Sequence, residues 1–211
     1  MNVEFTILGR GRAGCALAEA WGPRVALREH TARPEGLVVL AVPDRAVPEL
    51  AALFPGRCLH LAGSLHVGGV PCAHPLTSFD GRARDWTGTP LAVTGSLPDE
   101  LRRALGDLGF VAFDLPAELK PLYHAAAVLA SGHAATLWLG AEALLRAQGV
   151  ALPGRGLLPL AEATLRNVEA AGAGGRTGPF VRGDEATIAR DAEALPGPWR
   201  EIFLKLGHSL D

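Results

Sequence analysis

The sequence predicts an α/β fold, in which an N-terminal, mostly parallel sheet is followed by a C-terminal all-helical domain. In the first half, short apolar runs alternate with amphipathic segments, which is the pattern of parallel strands joined by crossover helices. After residue 115 no run is strand-like, and helical periodicity replaces the alternation. A chain of 211 residues is long enough for two cores. We therefore predict a dinucleotide-binding type of domain at 1–115 and a helical domain at 116–211.

The strands predicted in the first domain are short and apolar. The run at 37–42 has no polar residue, which indicates burial on both faces of a sheet. Asp44 is placed to cap the helix that follows it. The predicted strands are 3–8, 24–27, 37–42, 58–62, 71–74, 91–94 and 110–113, and the predicted helices are 14–21, 44–54 and 98–108.

The second domain is predicted to contain helices only. Residues 125–145 are apolar on nearly every face, although Ser131, His133 and Glu142 interrupt them. We therefore expect a buried helix of a soluble protein and not a membrane span. Since so small a domain can hardly cover this helix, we expect a homodimer through the helical domain. The predicted helices are 116–148 (one helix, or two joined near Pro121), 157–171, 184–194 and 199–206, with a glycine-rich loop at 172–178.

Composition excludes several classes of protein. The net charge is −2, so no excess of positive charge favours nucleic acid or an anionic membrane as a partner. The chain has two lysines against 18 arginines and few Asn or Gln, as in heat-adapted proteins and also in proteins of GC-rich genomes. Its three cysteines, Cys15, Cys58 and Cys72, lack metal or redox spacing and are predicted to be buried free thiols. The first apolar run is predicted to be a strand that ends in glycines and not a signal peptide, so we expect a cytoplasmic protein.

The most informative motif is a glycine-rich turn between the first predicted strand and the first helix. It reads Gly-x-Gly-x-x-Gly, the pattern that lets a backbone turn tightly and approach a pyrophosphate at a helix N-terminus. The alternative is a glycine turn of structural use only. The predicted cofactor-binding residues here are Gly9, Arg10, Gly11, Arg12, Ala13 and Gly14.

The end of the second predicted strand bears on the choice of dinucleotide. Arg28 stands where NAD enzymes usually carry an acidic residue for the ribose, and Arg33 is close by. A guanidinium there pairs with a 2′-phosphate, which favours NADP. Glu29 is the counter-evidence, because a shift of one residue would place a carboxylate at the ribose and favour NAD instead.

Further candidates follow the next predicted strands, whose carboxyl ends line the ligand crevice of such sheets. Val42 and Pro43 are predicted to pack on the adenosine half of the cofactor. Gly63 and Ser64 are predicted to approach the nicotinamide. For each pair the alternative is ordinary turn chemistry.

A second group of polar residues suggests a substrate site. His74 follows a strand-like run, where a histidine can act as acid, base or polar anchor. Lys120, His124 and Ser131 share one face of a largely apolar helix. A lysine in a cleft can donate a proton, so Lys120 is the predicted proton donor with His124 as its partner. The alternative is a solvated lysine with a hydrogen-bonded core histidine.

Asn167 and Arg182 complete the predicted substrate-binding residues, together with Ser131. Arg182 lies in the loop TGPFVRGD, where a guanidinium can hold a carboxylate, whereas Asp184 in the same loop is predicted to cap the next helix. His, Cys and acidic residues do not cluster at metal-ligand intervals, so no metal is predicted.

Six segments together resemble a family with a Rossmann-like domain followed by a helical domain of unknown function, number 2520. They are GRGRAG, VVLAVPD, LHLAGS, HPLTSF, LYHAAAVLASGH and TGPFVRGD, and they cover nearly the whole chain. The resemblance implies a fold similar to pyrroline-5-carboxylate reductase and 6-phosphogluconate dehydrogenase. In related hydroxyacid dehydrogenases a catalytic Lys is followed four residues later by Asn, a spacing matched by Lys120 and His124. The family pattern has Asn where this chain has Gly132, which removes one polar amide.

The resemblance and the glycine motif lead to one functional hypothesis with an alternative. We expect an NADP-dependent reductase or dehydrogenase of a small carbonyl, imine or hydroxyacid substrate. The alternative is a non-catalytic NAD(P)-binding sensor or regulatory dimer.

Overall fold

The fold predicted from the sequence is confirmed by a computed structural model, which describes residues 4–209. A seven-stranded sheet is followed by helices, and its strand order is β2-β1-β3-β4-β5-β6-β7. Val3, the predicted start of the first strand, lies outside the described residues. The strands are β1 (Phe5–Leu8), β2 (Val25–Arg28), β3 (Leu37–Leu40), β4 (Cys58–His60), β5 (Cys72–Pro75), β6 (Pro90–Thr94) and β7 (Val111–Asp114).

The register brings the carboxyl ends of four strands to one level. Leu8 at the end of β1 pairs with Arg28 at the end of β2 and with Leu40 at the end of β3. Leu40 pairs in turn with His60 at the end of β4. The loops that leave these strands therefore meet along a single edge of the sheet, where open α/β sheets bind their ligands.

The strand β5 is displaced from the others along the sheet. It is parallel to β4 but shares only one register pair with it, His60 with Cys72, so it begins where β4 ends. It then continues past the common edge to Pro75. Its other neighbour, β6, runs antiparallel to it, and β7 is parallel to β6.

Helices cover both faces of the sheet. One apolar cluster joins α1 and α3 to the face that carries Ile7, Val39 and Leu59. A second cluster joins α2 to the opposite face, which carries Leu40 and Cys58. The helices of this part of the chain are α1 (Arg12–Trp21), α2 (Val47–Ala51) and α3 (Asp99–Asp107).

Asp44 does not cap a helix as predicted. It opens a short 3₁₀ turn, Asp44–Ala46, which leads into α2, and no side chain caps either segment. Pro48 lies in the first turn of α2, where its missing N–H costs no hydrogen bond. The helix also ends at Ala51, earlier than the predicted residue 54.

The chain forms two compact units, Met1–Ala134 and Ala135–Asp211. The first unit includes helical residues after 115, so it extends beyond the predicted domain boundary at 115/116. The division into domains at 1–115 and 116–211 stays a prediction. The helical stretch from Ala117 is interrupted not at Pro121 but by a π-turn at Leu129–His133. The helices after β7 are α4 (Lys120–Val128), α5 (Ala134–Ala147), α6 (Leu158–Ala171), α7 (Pro179–Arg182), α8 (Glu185–Ala194) and α9 (Gly197–Gly207).

Capping in the second unit follows the predicted chemistry. Asp184 accepts a hydrogen bond from the backbone N–H of Thr187 at 3.1 Å and so caps α8, as the sequence predicts. Gly149 adopts a positive φ of 78° just after α5, and its N–H bonds the carbonyl of Arg146. Both ends thus use residues whose backbone or side-chain chemistry is suited to the position.

The apolar helix predicted to be buried is not buried in the single chain. Its continuous stretch, Ala117–Ala147, is long and apolar enough to cross a membrane by length and composition, with a mean hydropathy of 1.2 in its most apolar window. None of that window is buried. In the second unit an open apolar groove of about 610 Å³ lies among α5, α6 and α9, lined by residues that include Trp138, Leu160, Trp199 and Phe203.

These exposed apolar surfaces agree with the expected homodimer, which stays a prediction and can be tested directly. Light scattering is expected to give twice the 22.0 kDa of the chain, because large exposed apolar patches mark protein interfaces. Leu139→Glu or Leu160→Glu, at side chains 68% and 66% exposed, should yield monomers. Leu53→Glu, at an exposed leucine of the first unit, should leave the dimer intact, and a wild-type mass of 22.0 kDa would refute the dimer.

A buried histidine at the end of β4 predicts acid sensitivity. His60 is fully buried, and Nε2 has no hydrogen-bond partner among the described residues. Burial, and then the charge of Lys120, lowers the pKa of His60 from 6.5 to about 4. The unfolded chain therefore takes up a proton before the folded one, so stability falls as pH falls from 6.5 towards 4, by up to about 3 kcal/mol.

Urea unfolding between pH 7.5 and 4.5 measures this loss. His60→Gln cannot titrate there and should make the dependence of the unfolding free energy on pH shallower. His30→Gln, at an exposed histidine, should leave that dependence unchanged. Equal slopes for the wild type and the His60 variant would contradict the assignment.

Candidate functional site

The predicted glycine turn forms a tight cradle between β1 and α1. Gly9 has a φ of +114°, which L side chains rarely adopt, and a Cβ there would overlap the carbonyl oxygen of Ala41. A Cβ at Gly14 would overlap the carbonyl oxygen of Gly9. The turn is therefore packed against the end of β3 and against the first turn of α1, where no side chain would fit.

The open side of this cradle is at Gly11. Apart from its two chain neighbours, no residue has an atom within 4 Å of the position that a Cβ would take there, and no side chain caps α1. Backbone N–H groups of the first helical turn, at Arg12, Ala13 and Gly14, are directed outward at the positive end of the helix dipole. This arrangement suits a phosphate group.

Charged residues surround the cradle on the β2 side. The carbonyl of Arg28 accepts the N–H of Gly9 at 3.0 Å, which places Arg28 directly beside the turn. Its exposed guanidinium makes one long contact, 3.4 Å to the carbonyl of Leu27. The carboxylate of Glu29 is paired with Arg10 at 3.5 Å. Arg33 bonds carbonyls of its own loop.

The next predicted cofactor residues lie on the same edge. Val42 and Pro43 follow β3, and Val42 lies beside the cradle, since its Cγ1 is 3.1 Å from the position of a Cβ on Gly9. Gly63 and Ser64 follow β4. A Cβ on Gly63 would lie 2.6 Å from Cδ2 of His124 and 2.8 Å from Nε2 of His74, so only a glycine allows these rings to pack here.

A pocket of about 530 Å³ opens between the end of β5 and the helix that starts at Lys120. It brings together the predicted site residues His74, His124 and Ser131, as the helical spacing and the strand end predict. The Ser131 hydroxyl donates to the carbonyl of Ala127 at 2.7 Å. The pocket is lined by His74, Leu76, Thr77, Ser78, Tyr123, His124, Ala126, Ala127, Val128, Ala130 and Ser131.

A histidine and a tyrosine are paired at this pocket. His74 Nδ1 lies 2.9 Å from the hydroxyl of Tyr123. Burial, and then the charges of His124 and Lys120, lowers the pKa of His74 to about 4, so the ring is neutral at pH 7. Burial raises the pKa of Tyr123 to about 12, so its hydroxyl keeps its proton. The pair offers neutral hydrogen-bonding groups to a ligand.

Lys120 is directed into the protein beneath the pocket and not into it. Its side chain is 1% exposed, and Nζ donates to the carbonyl of Ala62 at 3.1 Å and to Sγ of Cys72 at 3.0 Å. Burial raises the pKa of the Cys72 thiol, and Lys120 offsets part of that rise. The catalytic role of Lys120 stays a prediction, and the contacts described here are those of a structural anchor.

The remaining predicted substrate residues belong to the second unit. Asn167 lies in α6 and Arg182 at the end of α7, and both are exposed. Their substrate-binding roles stay predictions. Within residues 4–209, no group of three or more His, Cys, Asp or Glu side chains is placed to hold a metal ion.

Two residues at this site were not identified from the sequence. Tyr123 is the only tyrosine in the chain, and that rarity was the available signal. The polar spacing that starts at Lys120 does not predict it, because that pattern continues at His124 and Ser131 and leaves out position 123. The predicted burial of the cysteines is confirmed for Cys58 and Cys72, whereas Cys15 is only partly buried. The contact of Cys72 with Lys120 has no sequence signal, because it depends on tertiary packing.

Solved structures share this fold across nearly the whole chain. A Bacteroides fragilis protein described as a candidate NADP oxidoreductase is 21% identical, with a TM-score of 0.77 over 99% of this chain and 98% of that one. A Thermotoga maritima protein is 20% identical, with a TM-score of 0.71 over 90% and 88% of the two chains. A reductive aminase from Aspergillus terreus, solved with NADPH and ethyl levulinate, is 15% identical, with a TM-score of 0.57 over 92% and 78%.

At these identities the likeness establishes the fold. Among curated proteins none matches the chain in sequence. A family model, Domain of unknown function (DUF2520), matches residues 89–210, which is more than half of the chain. The resemblance noted in the sequence is thereby confirmed, and the protein belongs to the DUF2520 family.

Proposed function

We propose that the protein binds NADP(H) along the carboxyl edge of its sheet and is an NADP-dependent oxidoreductase of a small molecule. The observation that carries this proposal is the cradle at Gly9–Gly14, which is closed to side chains and open to a phosphate at an uncapped helix N-terminus. The fold shared with an NADPH-bound reductive aminase and a candidate NADP oxidoreductase supports it.

Each part of the edge has a role in this proposal. Backbone N–H groups at the start of α1 hold the pyrophosphate, and Arg28 pairs with the 2′-phosphate. Val42 and Pro43 pack against the adenosine half, while Gly63 and Ser64 face the nicotinamide. From β1 through β3 and β4 to β5 is three strand spacings, about 14 Å, which an extended dinucleotide can follow to the pocket beside His74.

The bound cofactor would supply a hydride, and the chain supplies the proton. Tyr123 donates it from its hydroxyl to the substrate oxygen or nitrogen. In the proposed tautomer His74 carries its proton on Nδ1, donates to the Tyr123 oxygen 2.9 Å away and so orients the phenol. His124, on the same face of the pocket, holds the substrate. Lys120 positions Gly63 through the neighbouring Ala62 carbonyl.

A non-catalytic NADP-binding sensor is the second candidate. The burial of Lys120 favours it, because the residue matched to the lysine of related dehydrogenases does not reach the pocket. Purified protein with NADPH and a panel of ketones, imines and hydroxyacids separates the two candidates. Cofactor oxidation above the substrate-free rate supports the enzyme, and NADPH binding without turnover supports the sensor.

The cofactor assignment makes a prediction about affinity. Arg28→Ala should weaken NADPH binding about tenfold and leave NADH binding unchanged, because a charge-assisted bond to phosphate contributes about 1.4 kcal/mol or more. Thermal shifts measured against cofactor concentration give both affinities. Arg102→Ala, at an exposed arginine on α3, is the matched control and should change neither. Equal shifts of the wild type by NADPH and NADH would contradict the NADP assignment.

The proton-donor assignment makes a prediction about kinetics. Tyr123→Phe removes the hydroxyl but keeps the ring, so kcat should fall about 100-fold while NADPH affinity stays unchanged. His74→Gln should give a smaller loss, since it removes the orienting partner only. Steady-state kinetics with the best substrate of the panel measure both. Full activity in Tyr123→Phe would show that the proton comes from elsewhere.

A further inference from the structure

The pocket beside His74 has an unusual charge character for a site that would handle metabolites. Among the described residues that line it, none is Asp, Glu, Lys or Arg. Its polar groups are hydroxyls and imidazoles, and the His74 ring is held neutral by burial at pH 7. A carboxylate placed here would find no Lys or Arg side chain among these lining residues to pair with.

The side chain of Lys120, in the same unit, already has two hydrogen-bond acceptors. Lys120 has its Nζ bonded to Ala62 and Cys72, and its side chain is 1% exposed. Turning it into the pocket would break both hydrogen bonds and leave the Cys72 thiol as the remaining donor to the Ala62 carbonyl. Lys120 is therefore not available to pair with the carboxylate of an acidic substrate.

The helix wall of the pocket is apolar and smooth. Ala126, Ala127, Val128 and Ala130 provide methyl groups along it. Ser131 interrupts the wall, but its hydroxyl proton is given to the Ala127 carbonyl, so it presents an acceptor oxygen. Its donors are thus the Tyr123 hydroxyl and the His124 ring, beside the hydroxyls of Thr77 and Ser78, and one carbonyl oxygen or imine nitrogen would be held at Tyr123 and His124.

From this distribution we infer that the pocket takes a neutral ketone or imine with an apolar substituent, and not a hydroxyacid or keto acid. The carbonyl or imine lies against Tyr123 and His124, and the substituent lies along the alanine wall. This inference rests on the proposed function and narrows the substrate classes that the sequence left open.

Matched probes test the inference by binding, without need of turnover. The probes 4-oxopentanamide and 4-oxopentanoate have nearly the same shape and differ in charge. NADPH affinity is measured first, and its absence would refute the proposed function alone. Calorimetry on the NADPH-saturated protein, or on the free protein if NADPH does not bind, then compares the probes. The neutral probe should bind at least tenfold more tightly, whereas an acid that binds equally or better, or binding of neither, would overturn the inference.

Variants that add a positive charge test the charge preference of the pocket directly. Ala127→Lys or Thr77→Lys introduces an ammonium at the pocket and should shift the preference towards 4-oxopentanoate, while Ala52→Lys, at an exposed alanine elsewhere in the unit, should not. Thr77→Lys lies in a loop and covers the case in which the helix variant fails to fold.

Discussion

The geometry of the pocket depends on one buried ammonium group. Lys120 joins the first turn of α4 to the carbonyl of Ala62 after β4 and to Cys72 at the start of β5. His74 lies two residues beyond Cys72, and Tyr123 and His124 lie one turn beyond Lys120. These two hydrogen bonds therefore connect the strand that carries one imidazole to the helix that carries the phenol and the other imidazole. Burying a charge is expensive, and its two acceptors offset part of that cost.

The glycine cradle at the other end of this edge is shaped by backbone and not by side chains. Gly9 and Gly14 allow the turn to pack directly against the end of β3 and the start of α1, where any side chain would overlap the backbone. At the pocket the fit comes from side chains on β5 and α4. Sequence changes at the pocket can alter the ligand without disturbing the cradle, which is how one fold can serve different substrates.

The sequence predicts the parts of this structure that depend on local patterns. Apolar runs in the first half correctly predict seven strands, and the glycine motif predicts the cradle because its spacing encodes backbone geometry. Helical spacing correctly places His124 and Ser131 on one wall of a pocket. The direction of β6 was not predicted, since hydrophobic pattern carries no strand direction and the long segment between β5 and β6 contains no helix.

Other features of the site escaped prediction because they arise from tertiary packing. Lys120 was expected at an open cleft, but the Ala62 carbonyl after β4 and the Cys72 thiol at the start of the displaced β5 lie within its reach. Periodicity cannot reveal that displacement, because a strand has the same pattern wherever it is placed along its neighbour. The same limit explains why Cys72 was expected only as a core thiol.

The displacement of β5 also determines how rigid the pocket is. Because the strand begins where β4 ends, His74 lies on a strand that pairs with β6 along Cys72–Pro75, and Leu76, Thr77 and Ser78 of the following loop complete this wall. The opposite wall is helical and is anchored from below. Polar groups on regular elements lose little conformational entropy when a ligand arrives. The pocket is thus preorganised, and its selectivity resides in the fixed positions of its donors more than in closure around the ligand.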